Sequence, residues 1–452
     1  MDDNENRSPT APLGVTNAFD TTTEGFDDEY QSHWNLYPKS YTVYKLPPHQ
    51  PKYDDAADDN SHTNILPLLA FPIDGNIEKD IWKIVPWSDS FGDIQGKDEP
   101  EPKTKIPMTQ FKAIYDDSYL YIAAILHPAT GLTTEAHFTE RNSPIYQRDS
   151  DFEVFIDVDN TNHMYKELEV NAINTIWNLL LDKPYEDGGV EHSGRIAKIG
   201  ESRYYDVSYQ YTATKIISGT LNNESNHTGA LWSVEMALSF DDILSNTTLL
   251  NRNYSPTHSS WRVNFSRVEK QGKMNWTWQP QRRWNPEARQ FSGFVQMHMP
   301  DAWGYFYFSE ELIGSSVAID ETSSIPTSRL TQINDAQSPS YKDPLWPEKL
   351  TAMTIYYALH YYKNQNGRFT DKLSELLLPI EIVAPFCCEI QLVQSDEKNN
   401  EGFVVLVNKK SDRSTSTVRV RDDRLLQIIW TSIAFHAVEP IILQLNVSKL
   451  KD

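Results

Sequence analysis

The sequence predicts a mostly β protein: a jelly-roll-like antiparallel β-sandwich followed by a small C-terminal α+β module. Three observations predict it. Between residues 62 and 310, short runs of alternating polar and apolar residues recur, bounded by Gly, Pro, Asn and Asp. Helical patterns do not alternate with those runs, which argues against a parallel α/β sheet. After residue 342 the hydrophobic period lengthens to that of a helix and then shortens again to two.

In chain order, residues 1–61 are rich in Asp, Asn, Thr and Pro and read as a disordered acidic leader. Within them YTVYKLPPHQP (41–51) reads as a short extended arm. The sandwich spans 62–310. Its clearest strands are FKAIYDD (111–117), YLYIAAIL (119–126), DFEVFIDV (151–158), KELEVNAI (166–173), LWSVEMAL (231–238), WRVNFSRV (261–268) and WGYFYFS (303–309). Residues 311–342 are rich in Ser, Thr and Pro and read as a linker. The last segment, 343–452, opens with Asp343 as a helix cap and Pro344 at the first helical position. Leu345, Leu350, Met353, Tyr357 and Tyr361 recur at helical spacing, and Asn366-Gly367 ends the element. The runs 387–394, 402–409, 416–421 and 425–430 then predict a small antiparallel sheet.

Composition limits the function. Of 452 residues, 41 are Lys or Arg and 63 are Asp or Glu, a formal charge of −22. Phosphate contacts need a basic patch, so nucleic acid is excluded as a general partner. An anionic membrane surface is excluded on the same ground. Two adjacent cysteines, Cys387 and Cys388, supply neither a disulfide framework nor a Cys-based zinc site. Signal-peptide and transmembrane patterns are not visible. Sequons at Asn223, Asn226, Asn246, Asn253, Asn264, Asn275 and Asn446 keep a secretory location open. Compartment and oligomeric state are undetermined.

The informative block is residues 148–181. In DFEVFID, Phe152, Val154 and Ile156 point one way, and Asp151, Glu153, Phe155 and Asp157 the other. In KELEVNAI, Leu168, Val170 and Ala172 share one face; Glu167, Glu169 and Asn171 share the opposite one. The polar loop between the runs makes a hairpin, which would crowd carboxylates on one face. Like charges set opposite each other destabilise a sheet unless solvated or compensated. Three readings follow: a solvated acidic face, a polar hollow for a hydroxyl-rich ligand, or a calcium site at Asp157, Asp159 and Asn162. An EF-hand is not completed, because Asn162 stands where Gly is needed and Leu168 where Glu is needed. In WRVNFSRV, Trp261, Val263 and Phe265 are expected to face the core and Arg262, Asn264 and Ser266 the other side. Trp276, Trp278 and Trp284 lie in or beside a loop, where they would either cover the sandwich end or stack on sugars.

Several of these runs, in order, resemble a known family. IDGNIEKDIW (73–82), YDDSYLYIAAIL (115–126), DSDFEVFIDVDN (149–160), YKELEVNAI (165–173), WSVEMALS (232–239), WRVNFSR (261–267) and MPDAWGYFYFS (299–309) are similar to the landmarks of family-nine carbohydrate-binding modules. The resemblance covers about half the chain and is nearest to the bacterial family-nine-like group, which shares the INTIWNLLLDKPY extension. It implies a β-sandwich that binds sugars at chain ends without cleaving them, often with structural calcium. It implies a sugar-binding Glu at Glu153 and an amide at Asn171. The family's Arg falls on Glu169, a charge reversal, and a later amide position falls on Ser266. The first clamping Trp falls near Tyr146; the second falls near Met297 and His298. The run YYALHYYKNQNGRFTDKLSEL faintly resembles the helix of pilin-like modules and carries no function here.

The sequence thus points to non-catalytic carbohydrate binding, linked to carbohydrate catabolism. Tyr146, Trp177 and Trp278 are expected to stack on the sugar, and Glu153, Asn171, Arg262 and Asn264 to bond its hydroxyls. Calcium is the candidate cofactor. Two rivals stand beside this: a divergent glycoside hydrolase acting on O-glycosyl bonds, and a scaffold that has lost the sugar site and binds a protein. Nucleophile-elbow, zincin, P-loop and dinucleotide motifs are missing from the sequence.

Overall fold

The protein is described from a computed structural model covering residues 30–48, 69–97, 105–207, 210–223, 229–250, 254–314, 341–386, 390–394, 402–410 and 414–432. The sandwich strands are β1 (Ser40–Lys45), β2 (Gly92–Asp93), β3 (Thr109–Tyr115), β4 (Tyr119–Leu126), β5 (Asp151–Asp157), β6 (Tyr165–Asn171) and β7 (Ile176–Leu181). They continue with β8 (Glu191–His192), β9 (Gln210–Ser218), β10 (Leu231–Ser239), β11 (Ser260–Glu269), β12 (Met274–Thr277), the hairpin β13 (Arg282–Asn285) and β14 (Gln290–Gly293), and β15 (Gly304–Leu312). Short helices are α1 (Gln31–Trp34), α2 (Asp80–Ile84) and α3 (Phe240–Ile243). The C-terminal segment holds the long α4 (Trp346–Asn366), the turn α5 (Ile380–Val383) and β16 (Ile390–Gln394), β17 (Phe403–Lys410), β18 (Ser414–Arg421) and β19 (Leu426–Ser432).

Hydrogen bonding joins the sandwich strands in the order β8-β7-β6-β5-β11-β15-β1-β3-β4-β10-β9, with β12 pairing β11 off this path and β2 pairing β12. The two halves of this path fold over one another. Phe111 of β3 stacks on Phe265 of β11 with ring centroids 3.9 Å apart, and both are fully buried. Alternation supplies the core: Phe152, Val154 and Ile156 from β5 meet Leu120, Ile122 and Ala124 from β4. Each such side chain contributes roughly 1.5–3 kcal/mol on leaving water.

The expected leader departs from disorder where it is described. Tyr41 and Val43 bury into the core, so β1 is drawn between β15 and β3 and runs parallel to both. A strand arriving from a distant part of the chain needs no hairpin, which permits parallel pairing inside an otherwise antiparallel sandwich. Residues 69–87 cover the outer face of β3, β4 and β10, with Trp82 fully buried. There the buried Glu235 carboxylate accepts from Lys79 Nζ and from Trp82 Nε1 at 2.8 Å.

The C-terminal sheet is the antiparallel meander β16-β17-β18-β19. The helix begins later than Asp343-Pro344 suggests: Pro347 lies in its first turn and Gly367, at φ 72°, closes it. Asp343 instead clamps the approach, accepting from Leu345 N at 2.9 Å and from Lys349 Nζ and Tyr305 Oη at 2.7 Å. The segment has a core of its own, to which the separate β13–β14 hairpin contributes Trp284 beside Ile355, Tyr356 and Val407. Most of the expected linker, and Cys387 and Cys388, lie outside the described residues. Among the described residues no helix is long and apolar enough to cross a membrane.

Candidate functional site

Glu153 pairs directly with Glu169 across the β5–β6 ladder, and Asp151 with Asn171. Since Phe152, Val154, Leu168 and Val170 take the core side, the carboxylates of Asp151, Glu153, Glu167 and Glu169 emerge together on the other face. Trp177 of β7 lies opposite Glu169 and shares that face. A single 3₁₀ turn, Ile145–Gln147, sets Tyr146 over Trp177, with centroids 5.2 Å apart and planes 22° from parallel. The residues before the 3₁₀ turn Pro300–Ala302 bring Met297 and His298 to the far wall. Together they line an open cavity of about 320 Å³ that includes Tyr146, Glu153, Glu169, Trp177, Arg195 and His298.

The floor is electrostatically unusual. Asp151, Glu153, Glu167 and Glu169 are each at most 6% exposed. Burial pushes the Glu153 carboxyl up to about 7. Burial, then the neighbouring Glu153 carboxylate, holds Asp151, Glu167 and Glu169 well above the usual carboxylate range. Asp151 Oδ1 accepts from Val268 N at 3.1 Å, while Asp151 Oδ2, Glu169 Oε2 and the indole N–H of Trp177 are buried without partners. Arg195 pairs with Glu191 and places its guanidinium 5.1 Å from the Trp177 ring centre. Burial lowers His298 to about 4, so its ring is neutral at pH 7; Nδ1 bonds the Tyr165 hydroxyl at 3.1 Å.

The cavity unites Tyr146, Glu153 and Trp177 from the expected set. It does not include the other four. Asn171 lies at the end of β6, where its amide donates to Phe138 O and Asp149 Oδ2 at 2.9 and 2.7 Å and its oxygen accepts from Thr175 N at 2.8 Å. Asn264 and Arg262 do share the outer face of β11, but the chain crosses over them. Asn264 exchanges bonds with Gln279 N and O at 3.0 and 2.9 Å. Arg262 donates to Trp303 O at 2.5 Å and lies 4.1 Å from the Tyr305 ring. Asn264, fully buried, is also closed as a glycan acceptor in this fold. Trp278 is 1% exposed and packs edge-on against Phe111 in the core. A Cβ at Gly304 would sit 2.4 Å from its ring, so the indole fits only beside glycine. Trp276 and Trp284 are buried too.

Of the expected calcium residues, Asp157 and Asp159 stand side by side, and burial, then the Asp159 charge, holds Asp157 well above the usual carboxylate range, while the Asn162 amide turns elsewhere. Asp157 accepts from Asn162 N at 2.8 Å and Thr161 N at 3.3 Å, closing the hairpin turn on itself. Asn160 and Asn162 take left-handed φ of 56° and 67°, which Asn tolerates. The Asn162 amide then donates away from Asp157, to Arg424 O at 3.1 Å, and Leu426 N donates to Thr161 O at 3.0 Å. The loop is thus a dock for the C-terminal sheet. Among the described residues the acidic group whose oxygens converge is Asp151, Glu153 and Glu169.

Sequence reasoning missed Arg195, Tyr185, Gln296 and Asn275, all of which line the cavity. They come from irregular loops or a strand edge without periodicity. The local charge pair Glu191–Arg195, four residues apart, was the one available signal.

Solved structures that align with this chain at low identity include three. A Bacteroides uniformis protein proposed to bind carbohydrate aligns at a TM-score of 0.39 and 12% identity, over 60% of this chain and all of its own. A family 9 carbohydrate-binding module from Caldicellulosiruptor kristjanssonii in complex with cellotriose aligns at 0.32 and 16% identity, over 62% of this chain and 100% of its own. The same organism's module in complex with glucose aligns at 0.31 and 16% identity, over 60% and 96%. No protein-family model and no curated relative matches the chain. The assignment as a β-sandwich rests on the strand pairing described above.

Proposed function

We propose that the chain binds carbohydrate without cleaving it, in the cavity floored by β5 and β6. One observation carries the reading: the Tyr146–Trp177 stack stands at the side of an open hollow lined by Glu153 and Arg195. Sugars present apolar C–H faces and a rim of hydroxyls. An aromatic platform takes the first, and carboxylate acceptors with N–H donors take the second. Arg195, Gln296 and Asn275 add polar groups around the same hollow. Hydrolysis would need two carboxyls flanking the scissile bond. Here Glu153 and Glu169 come from adjacent strands of a single floor.

Calorimetric titration of the full chain with a saccharide panel that includes glucose and cellotriose tests this. A dissociation constant at or below the millimolar range is expected, weakened at least about tenfold in Tyr146→Ala, on the order of the stacking energy of one ring. Absence of heat for every sugar at millimolar concentration overturns the reading.

A further inference from the structure

We propose that Asp151, Glu153 and Glu169 hold a hard divalent cation beneath the cavity, with the Ser266 hydroxyl at its side. One carboxylate oxygen from each lies within 4.8 Å of the other two. Oxygens around a shared calcium ion stand about 2.3–2.6 Å from it, so two of them are at most about 5.2 Å apart. The three residues come from adjacent positions of one ladder, and their separation is set by the backbone.

Independent observations point to a missing partner. Asp151 Oδ2 and Glu169 Oε2 are buried and unpartnered, at residues that are 0% and 1% exposed. Ser266 is fully buried and pairs directly with Glu153 across the β5–β11 ladder, where its hydroxyl favours the Glu153 carboxylate. Buried polar atoms are ordinarily bonded, so two orphaned carboxylate oxygens in one converging group call for a ligand. At 0–4% exposure these carboxylates keep little of the hydration that relieves an exposed acidic face. Protein cations are engaged elsewhere: Arg267 pairs with Glu269 at 2.6 Å, and Arg195 with Glu191. The charges acting most strongly on Asp151, Glu167 and Glu169 are those of other carboxylates. An all-oxygen donor set suits calcium, magnesium or manganese rather than zinc or copper. The site stands whether or not a sugar enters above it.

The full chain, stripped with EDTA at pH 8 and titrated with calcium, magnesium and manganese in the absence of sugar, tests the site. One-to-one binding of at least one ion is expected, with a rise in melting temperature. Glu169→Gln and Asp151→Asn should each weaken it at least tenfold. Glu169→Arg should fold without metal, show no binding and gain nothing from added ions, because its own guanidinium supplies the charge. Terbium offers a readout on the wild-type chain alone: its emission, excited through tryptophan, should fall in Trp177→Phe. Absence of binding to wild type at several millimolar of all three ions overturns the proposal. Undiminished binding by Glu169→Arg overturns it as well, since the ion would then sit elsewhere. Sugar affinity of Tyr146→Ala is a separate measurement, so either proposal can fail while the other stands.

Discussion

Tyr146 lies nearly flat on Trp177, 5.2 Å between ring centres, and Arg195 lies 5.1 Å from the same indole. Trp177 is 4% exposed, whereas Tyr146 is only half-buried. The tyrosine therefore offers the free surface and the tryptophan supports it.

That division of labour separates two variants. Tyr146→Phe keeps the ring and loses only the bond its hydroxyl accepts from Gln147 Nε2. Saccharide affinity should stay within about threefold of wild type, well under 1 kcal/mol. Trp177→Ala removes the support and a buried indole. It should weaken saccharide binding like Tyr146→Ala and also destabilise the fold by about 3–5 kcal/mol. Calorimetry and chemical denaturation check both; equal stability of Trp177→Ala and wild type would contradict the support role.

Much of this floor was legible from period alone. DFEVFID and KELEVNAI alternate so strictly that the face of Glu153 and Glu169 followed once a hairpin was drawn, and the register bears that out. Arg262 and Asn264 show the limit. Alternation placed them on the correct face of β11 but could not say that residues 277–281 cross over that face and cover it. Trp278 failed for the same reason: loop position suggested exposure, while tertiary packing folded the indole into the core. The left-handed turn at Asn160 and Asn162 left no trace from which its docking on Arg424 could be inferred.

Arg424 holds the C-terminal sheet against the sandwich. Its side chain is 1% exposed and reaches Asp187 at 2.9 Å, Glu186 at 3.0 Å and Asp301 at 3.4 Å. Truncating one member of a buried charge cluster strands its buried partners, here Asp187 and Asp301, at about 3–5 kcal/mol. Arg424→Ala should accordingly lose that much stability and expose the segment after residue 341 to early proteolysis. Arg424→Lys should not restore it, because an ammonium cannot reproduce the fork that serves several carboxylates. Urea denaturation with timed trypsin digestion measures both, and a wild-type-like Arg424→Ala would show the cluster to be incidental.

His33 ties the N-terminal helix turn to α4 and gives the fold an acid-sensitive joint. The ring is fully buried, with Nε2 3.1 Å from Thr351 Oγ1 and 3.0 Å from the Ile382 carbonyl. Burial lowers its pKa from 6.5 to about 4, against the opposing pull of the Ile382 carbonyl. A depressed pKa means that the unfolded chain takes up the proton first. The contribution is therefore complete above about 6.5 and disappears as pH falls through about 4. A displacement of that size amounts to about 3 kcal/mol at most. His33→Gln keeps an amide donor for the Ile382 carbonyl but cannot titrate. Between pH 7 and pH 4 the wild-type melting temperature should drop further than that of His33→Gln, with the gap opening below pH 6.5. Parallel acid limbs for the two proteins would mean that His33 remains neutral for another reason, or that the α1 turn leaves α4 before the ring is protonated.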